Sequence, residues 1–358
     1  MYKNIFISGI EAISPSGSSL DEIFLKLVNE KIYLDKKLNQ IENFNFYNQG
    51  YKIKTRISSS GQLCVHVTSQ LTLNNKQGIN DRVGLITVSK YGCPKSRLAY
   101  WEQLKTLVEK QFASPKDFVQ SISNIPNALA TIECNINGFA NHYVGSADAA
   151  LLAFWQGVKC LEDDMVDEMI VTSFDTVTKE QIEVLGRSGF QYKYFSDAAS
   201  GLRIQKKENS RNKDIIFEVL GFGFSTGYKI HEAVENALLN VLQDSEIPEQ
   251  DIDFIISNSN SIDEFNKNEK KGLKRIFKQP MPTFLLKNFL GECFAAYPFL
   301  SLGILSKMCK EYLPKNTLKD ENDEFLNYNN ILIERNSTFL LIAYDYSGNA
   351  SAVCLKYS

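Results

Sequence analysis

No two of the seven cysteines, at positions 64, 93, 134, 160, 293, 309 and 354, are spaced as C-x-x-C. Their odd number and irregular intervals give neither a disulfide framework nor a zinc pattern. Reduced thiols in a cytoplasm are expected, with no metal and no cofactor. Excess charge is also missing: 39 Lys and Arg against 42 Asp and Glu leave a formal net charge of -3. With no extended basic tract beyond one short helix, nucleic acid is excluded as a partner. A long uninterrupted apolar run is absent too. The most apolar stretch, Phe289 to Leu305, contains Glu292 and Pro298 and barely reaches bilayer length, so a buried helix is expected there and no membrane contact. The first ten residues lack the apolar core of a signal peptide and read as a strand.

The 358 residues are 44% apolar and 23% charged, the balance of a soluble globular chain. That length holds two domains or one large duplicated α/β unit. Strand signals recur at Ile5 to Ser8, Val83 to Val88, Glu168 to Thr172, Ile215 to Val219, Phe254 to Ile256 and Phe339 to Ala343, with helical stretches between them. Two helices, Ala147 to Leu161 and Cys293 to Met308, are apolar on every face and must be enclosed by other structure. Each follows a short polar or glycine-containing turn, which suggests two diverged halves, 1–205 and 215–358, with a buried helix at each centre. The polar stretch Lys206 to Asp214 is the expected joint, and Lys315 to Asn336 reads as a solvated excursion before a final strand pair.

Several segments resemble the β-ketoacyl synthases, the decarboxylating condensing enzymes of fatty-acid and polyketide assembly. Ile7-Ser8-Gly9-Ile10-Glu11-Ala12-Ile13-Ser14-Pro15-Ser16-Gly17 resembles the opening T-G-x-G-x-x-(S/T)-P-x-G, and Ser114-Pro115-x-x-Phe118 through Asn127 resembles the segment before the nucleophile strand. Leu220-Gly221-Phe222-Gly223-Phe224-Ser225 is similar to the G-x-G strand of the second half. Ile247-Pro248-x-x-Asp251-Ile252-Asp253-Phe254-Ile255 is similar to the P-x-D-I-D-Y-I approach to the first catalytic histidine. Tyr344 to Ser351 stands where the family has a G-F-G-G-T-N-x-S loop. The resemblance implies the thiolase-like duplicated α/β fold, layered αβαβα around two buried helices.

It also implies a thiolate at the N-terminus of the first buried helix and two imidazoles that donate to a developing enolate. Ungapped counting puts Ala147 at the nucleophile position, and a one-residue slip puts Ser146 there. Asn258 replaces the first histidine and Glu292 the second, while Lys287 keeps the family's residue. None of the three histidines, His66, His142 and His231, falls at a matching place. The resemblance therefore points to the chain-length factors, which lack the nucleophile, pair as heterodimers with an active ketosynthase subunit and close the acyl tunnel. The aryl-polyene and flexirubin pigment systems use such pairs, and acyl carrier protein is met through the complex.

Rival readings stay open at this point. Ser146 suits both an N-cap and a nucleophile, and with Lys287 and Glu292 it would make a repurposed decarboxylase or acyl hydrolase. Lys287 and Glu292 also suit a buried ion pair left after catalysis was lost. Tyr91 and Phe118 suit the tunnel and subunit interface, or ordinary core. Lys270, Lys271, Lys274 and Arg275 suit a solvated helix face interrupted by Glu264 and Glu269, or the docking of an acidic carrier protein.

Overall fold

The computed structural model describes residues 2, 4–29, 36–42, 44–53, 55, 57–72, 81–106, 113–190, 192–209, 215–259, 263–310 and 333–358. Residues 210–214 of the expected joint Lys206 to Asp214, and 315–332 of the expected excursion Lys315 to Asn336, lie outside these residues. Five strands come from the first half: β1 Ile5–Ile13, β2 Val83–Ser89, β3 Ala140–Val144, β4 Glu168–Asp175 and β5 Ala198–Lys206. Five more come from the second: β6 Phe217–Thr226, β7 Phe254–Ile256, β8 Thr283–Phe284, β9 Thr338–Tyr344 and β10 Asn349–Tyr357. They join in one sheet with the order β8-β7-β9-β10-β6-β1-β5-β4-β2-β3.

The order is the same strand path written twice. In each half the second strand lies between the third and the fourth in parallel pairing. The fifth strand then pairs antiparallel with both the fourth and the first. The halves meet where β1 and β6 run antiparallel for two residues, Phe6 opposite Glu218 and Ile7 opposite Phe217.

Helices supply the layers. In chain order they include α1 Ser59–Thr72, α2 Pro94–Lys105, α3 Pro115–Ser121, α4 Ala147–Glu162, α5 Ile230–Ser245, α6 Asp263–Ile276 and α7 Tyr297–Lys310. The central helices α4 and α7 touch strands of both halves, α4 against β4 and β10, α7 against β1, β5 and β9. One apolar cluster surrounds them, centred on Phe154, Phe217, Phe254, Phe299 and Phe339. A second cluster lies under α1 in the first half, and a third under α5 and α6 in the second. With α4 and α7 against strands of both halves of the sheet, α1 outside the first half and α5 outside the second, the result is the expected α/β layering.

Most strand signals fall on strands. The exception in position is β6, which begins at Phe217 and runs to Thr226. Two strands, β5 and β3, carry no β-branched run. In β5 the run Ala198-Ala199-Ser200-Gly201 is small because α1 packs against it: a Cβ on Gly201 would meet Leu71 Cδ1 at 2.8 Å. β3, Ala-Asn-His-Tyr-Val, ends the sheet and is half exposed, so no burial pattern marks it. The second enclosed helix also starts later than Cys293. A 3-10 turn, Phe294–Ala296, precedes α7 because Phe294 has a left-handed φ of 47°, which no α-helix accepts.

Candidate functional site

The two central helices begin close together, and the side chains at their N-terminal ends form the site. Ser146 is the N-cap residue of α4 with extended φ and ψ, but its hydroxyl makes no capping hydrogen bond, so the side-chain cap read from the sequence is not formed. Ala147, the first helical residue, is 1% exposed and presents only a methyl group. On the other side, Lys287 opens a four-residue helical turn that stops at Gly291, whose φ of 73° is the left-handed geometry glycine tolerates. That reversal brings Glu292 back onto Lys287.

Ser146, Asn258, Lys287 and Glu292 line one pocket, walled by Tyr192, Phe265, Tyr344 and Tyr346. Its cavity measures about 10 Å³, room for roughly one water molecule. Lys287 and Glu292 are each 5% exposed, and Lys287 Nζ donates to Glu292 Oε2 at 2.9 Å. The other carboxylate oxygen accepts from the Phe294 N–H at 2.9 Å. Lys287 Nζ also lies 4.8 Å from the centre of the Tyr297 ring. Both charges are thus occupied by one another and by fixed neighbours. Asn258 donates through its amide nitrogen to the Tyr344 carbonyl at 2.9 Å, and its carbonyl oxygen is buried without a hydrogen-bond partner.

Three carboxylates that the sequence reading did not place in the site complete the surroundings. Asp175, at the end of β4, is wholly buried and accepts from Ser89 Oγ, the N–H groups of Lys90 and Tyr91, and the Ala295 N–H, at 2.9 to 3.1 Å. It ties the end of β2 to the turn that launches α7. Burial pushes its carboxyl up to about 7 against those four hydrogen bonds. Asp148, in the first turn of α4, is also pushed up to about 7, by burial first and then by the nearby Asp345 charge. Asp345 faces Lys90 at 3.9 Å.

Glu269 is the third. The sequence placed it as an interruption of the basic face of α6, but it is 2% exposed and turns inward to accept from Ser257 Oγ. Burial raises its carboxyl above the usual range. The run Lys267-Asn268-Glu269-Lys270 hides this, since helical spacing from Phe265 and Leu273 is the only signal of an inward position.

The remaining candidates lie elsewhere. Tyr91 stands edge-on to Phe294 at 5.0 Å, behind the pocket wall. Phe118, on α3, is 48% exposed and rests on Tyr100 at 5.5 Å. Lys271, Lys274 and Arg275 are on the exposed side of α6, Lys270 is half-buried, and Arg275 is paired with Glu235 of α5. None of the histidines lines the pocket. His66 bonds Tyr51 and the Ser18 carbonyl, His142 bonds Thr87, and His231 faces Asn268. Cys293 adjoins Glu292 but is wholly enclosed, with burial holding its thiol protonated well above the usual range. Among the described residues no group of histidine, cysteine and carboxylate side chains could hold a metal ion.

Comparison by sequence finds no matching family model and no matching curated protein. Comparison of structures is different. A β-ketoacyl synthase from Burkholderia phymatum STM815 superposes with a TM-score of 0.84 at 15% identity, over 99% of this chain and 100% of that one. The ishigamide ketosynthase/chain length factor gives 0.84 at 16% identity over 99% of each chain. A third structure, the ketosynthase ApeO in complex with its chain length factor ApeC from Xenorhabdus doucetiae, gives 0.76 at 15% identity, covering 100% of this chain and 98% of that one.

The chain has the ketosynthase fold. Within this ketosynthase fold the described residues bring no thiolate and no imidazole to the pocket between α4 and α7. Among them no helix is long and apolar enough to cross a membrane.

Proposed function

We propose that this chain is a non-condensing chain-length factor that pairs with an active ketosynthase and helps to shape the tunnel holding the growing acyl or polyene chain. One observation carries the reading. The pocket where condensation would occur has about 10 Å³ of free volume, and its only buried cation and the carboxylate beside it are bound to each other. Decarboxylative condensation needs a nucleophile and neutral donors aimed at a developing enolate. Ala147 supplies no nucleophile, the Asn258 amide donates to the Tyr344 carbonyl instead, and a carboxylate at Glu292 opposes negative charge on a neighbouring oxygen.

The surface supports an assembly role. Among the described residues, six of the twelve large apolar side chains that are exposed, Trp101, Phe118, Val119, Ile122, Ile132 and Val144, come from the segment that holds α2, α3 and the open strand β3. Apolar side chains exposed in one segment are the composition expected of a protein interface. Sheet edges with unpaired backbone groups add a partner strand readily. The solved structures that share this fold include a ketosynthase in complex with its chain length factor and another in complex with an acyl carrier protein. We place the subunit contact on this face, with Phe118 and Tyr91 on the path toward the partner's acyl pocket. Carrier-protein contact is placed on the exposed side of α6, at Lys271 and Lys274.

The repeated strand path supports division into two diverged halves, 1–205 and 215–358. None of the seven cysteines forms a disulfide, which supports a reducing cytoplasm. Pathways making polyene pigments of the aryl-polyene or flexirubin kind are the setting we favour.

The rival reading, a decarboxylase or acyl hydrolase built on Ser146, Lys287 and Glu292, has those residues in one pocket. It lacks space for a substrate and a base free to activate Ser146. Co-expression with an active ketosynthase tests the proposal. A stable one-to-one complex is expected, and a well-behaved monomer that ignores the ketosynthase contradicts it.

A further inference from the structure

β3 is the last strand of the sheet, and among the described residues no strand pairs with its outer side. In a parallel pair, alternate residues bond the neighbour. Leu85 donates to the Phe139 carbonyl and Gly145 donates to the Ser89 carbonyl. The odd-numbered residues 139 to 145 therefore bond β2, and Ala140, His142 and Val144 turn their backbone groups outward. The central one of these outward donors is already taken. The His142 N–H donates to the side-chain oxygen of Asn141 at 2.8 Å. The same Asn141 side chain is steadied from α4, where its amide nitrogen donates to Gln156 Oε1 at 3.2 Å, and Gln156 also accepts from the Tyr143 hydroxyl.

We propose that Asn141 is a specificity-determining residue for assembly, a latch on the open edge that disfavours pairing of two copies of this chain more than pairing with a different partner. The inference rests on the reading that the β3 face is the subunit interface. Two identical strands that meet antiparallel do so about a two-fold axis. With only residues 140, 142 and 144 facing out, every register that joins two or more outward residues of each strand uses the His142 donor. A homodimer must therefore undo the Asn141 bond twice, once in each copy. A heterodimer with a partner strand that lacks such a side chain undoes it once.

A single hydrogen bond of ordinary net strength changes an equilibrium about fivefold. Replacing Asn141 by alanine then tightens self-association about 25-fold and heterodimer formation about fivefold, the first being the square of the second. The experiment is sedimentation velocity of the purified chain across a micromolar concentration series, for wild type, Asn141→Ala, Asn141→Asp and Gln156→Ala. Circular dichroism confirms that each variant is folded.

Asn141→Ala should form a discrete dimer at concentrations where wild type does not. Asn141→Asp keeps an accepting oxygen for the His142 N–H, though it loses the donor to Gln156 and adds a charge to each copy, so it should self-associate no more than wild type; Gln156→Ala, which leaves the latch bond in place, should behave as wild type. The proposal is overturned if Asn141→Ala self-associates within about twofold of wild type, or if Asn141→Asp matches Asn141→Ala. Failure of the wider reading looks different: the chain then ignores an active ketosynthase in co-purification, whatever Asn141→Ala does alone. A chain that pairs with the ketosynthase but shows no effect of Asn141 refutes the latch only.

Discussion

Replacing Lys287 by methionine removes the cation from a pair whose members are each 5% exposed and 2.9 Å apart. Glu292 would keep a single donor, the Phe294 N–H. With a cavity of about 10 Å³ beside it, water has almost no room to replace the ammonium. Breaking a buried pair this way costs about 3 to 5 kcal/mol, because it leaves an uncompensated charge. Lys287→Met combined with Glu292→Gln removes both charges while keeping an acceptor for Phe294, and should restore stability to within about 1 kcal/mol of wild type. Urea denaturation of wild type, both single variants and the double variant closes a cycle whose coupling energy is read directly. A Lys287→Met cost under about 1 kcal/mol would mean that the pair is solvated as on a protein surface. The pocket would then be open to substrate, and the reading of a closed, non-condensing site would fall.

Further outcomes follow from the same geometry. Folding raises the Asp148 carboxyl to about 7, so the folded chain favours the neutral acid; the stability from this group is complete below about pH 4 and lost as pH rises through about 7. Asp148→Asn should therefore melt higher than wild type above pH 7, by on the order of 2 kcal/mol, and match it near pH 4; equal melting at both ends would refute the assignment. Ser146→Ala should leave the condensation rate of the ketosynthase complex unchanged, and a loss of tenfold or more in a steady-state assay would restore Ser146 as a nucleophile. Phe118→Ser together with Ile132→Ser should weaken binding to the ketosynthase by tenfold or more without changing the chain's own melting. Both side chains are exposed in the free chain, so a loss of folding stability instead would put them in the core.

The fold was legible because the second-half strands Phe254–Ile256 and Phe339 onward and the first-half strands at Val83 and Glu168 are buried on both faces, and buried parallel strands read as continuous apolar runs. The enclosed helix α4 showed itself for the same reason. What stayed hidden depends on contacts distant in sequence. Gly201 is small because α1 crosses it, and Glu269 looks like part of a charged face until Ser257 is placed opposite. Asp175 gives no local sign that it gathers four donors from two loops, one of them at Ala295. Ala147, Asn258 and Glu292 were named through the family resemblance, and the structure brings Asn258 and Glu292 into one pocket with Ser146. The pairing of Glu292 with Lys287 was a named alternative that the geometry shows as a contact, whereas the missing cap at Ser146 turns on one hydroxyl orientation that no spacing encodes.

The central claim is that the condensing chemistry lies on another chain. The most direct test is to incubate the complex of this chain and its ketosynthase with an acyl-loaded carrier protein, and to weigh both intact subunits. One acyl group per complex, carried by the ketosynthase and never by this chain, is the predicted result. An acyl adduct on this chain that Ser146→Ala abolishes would contradict the account.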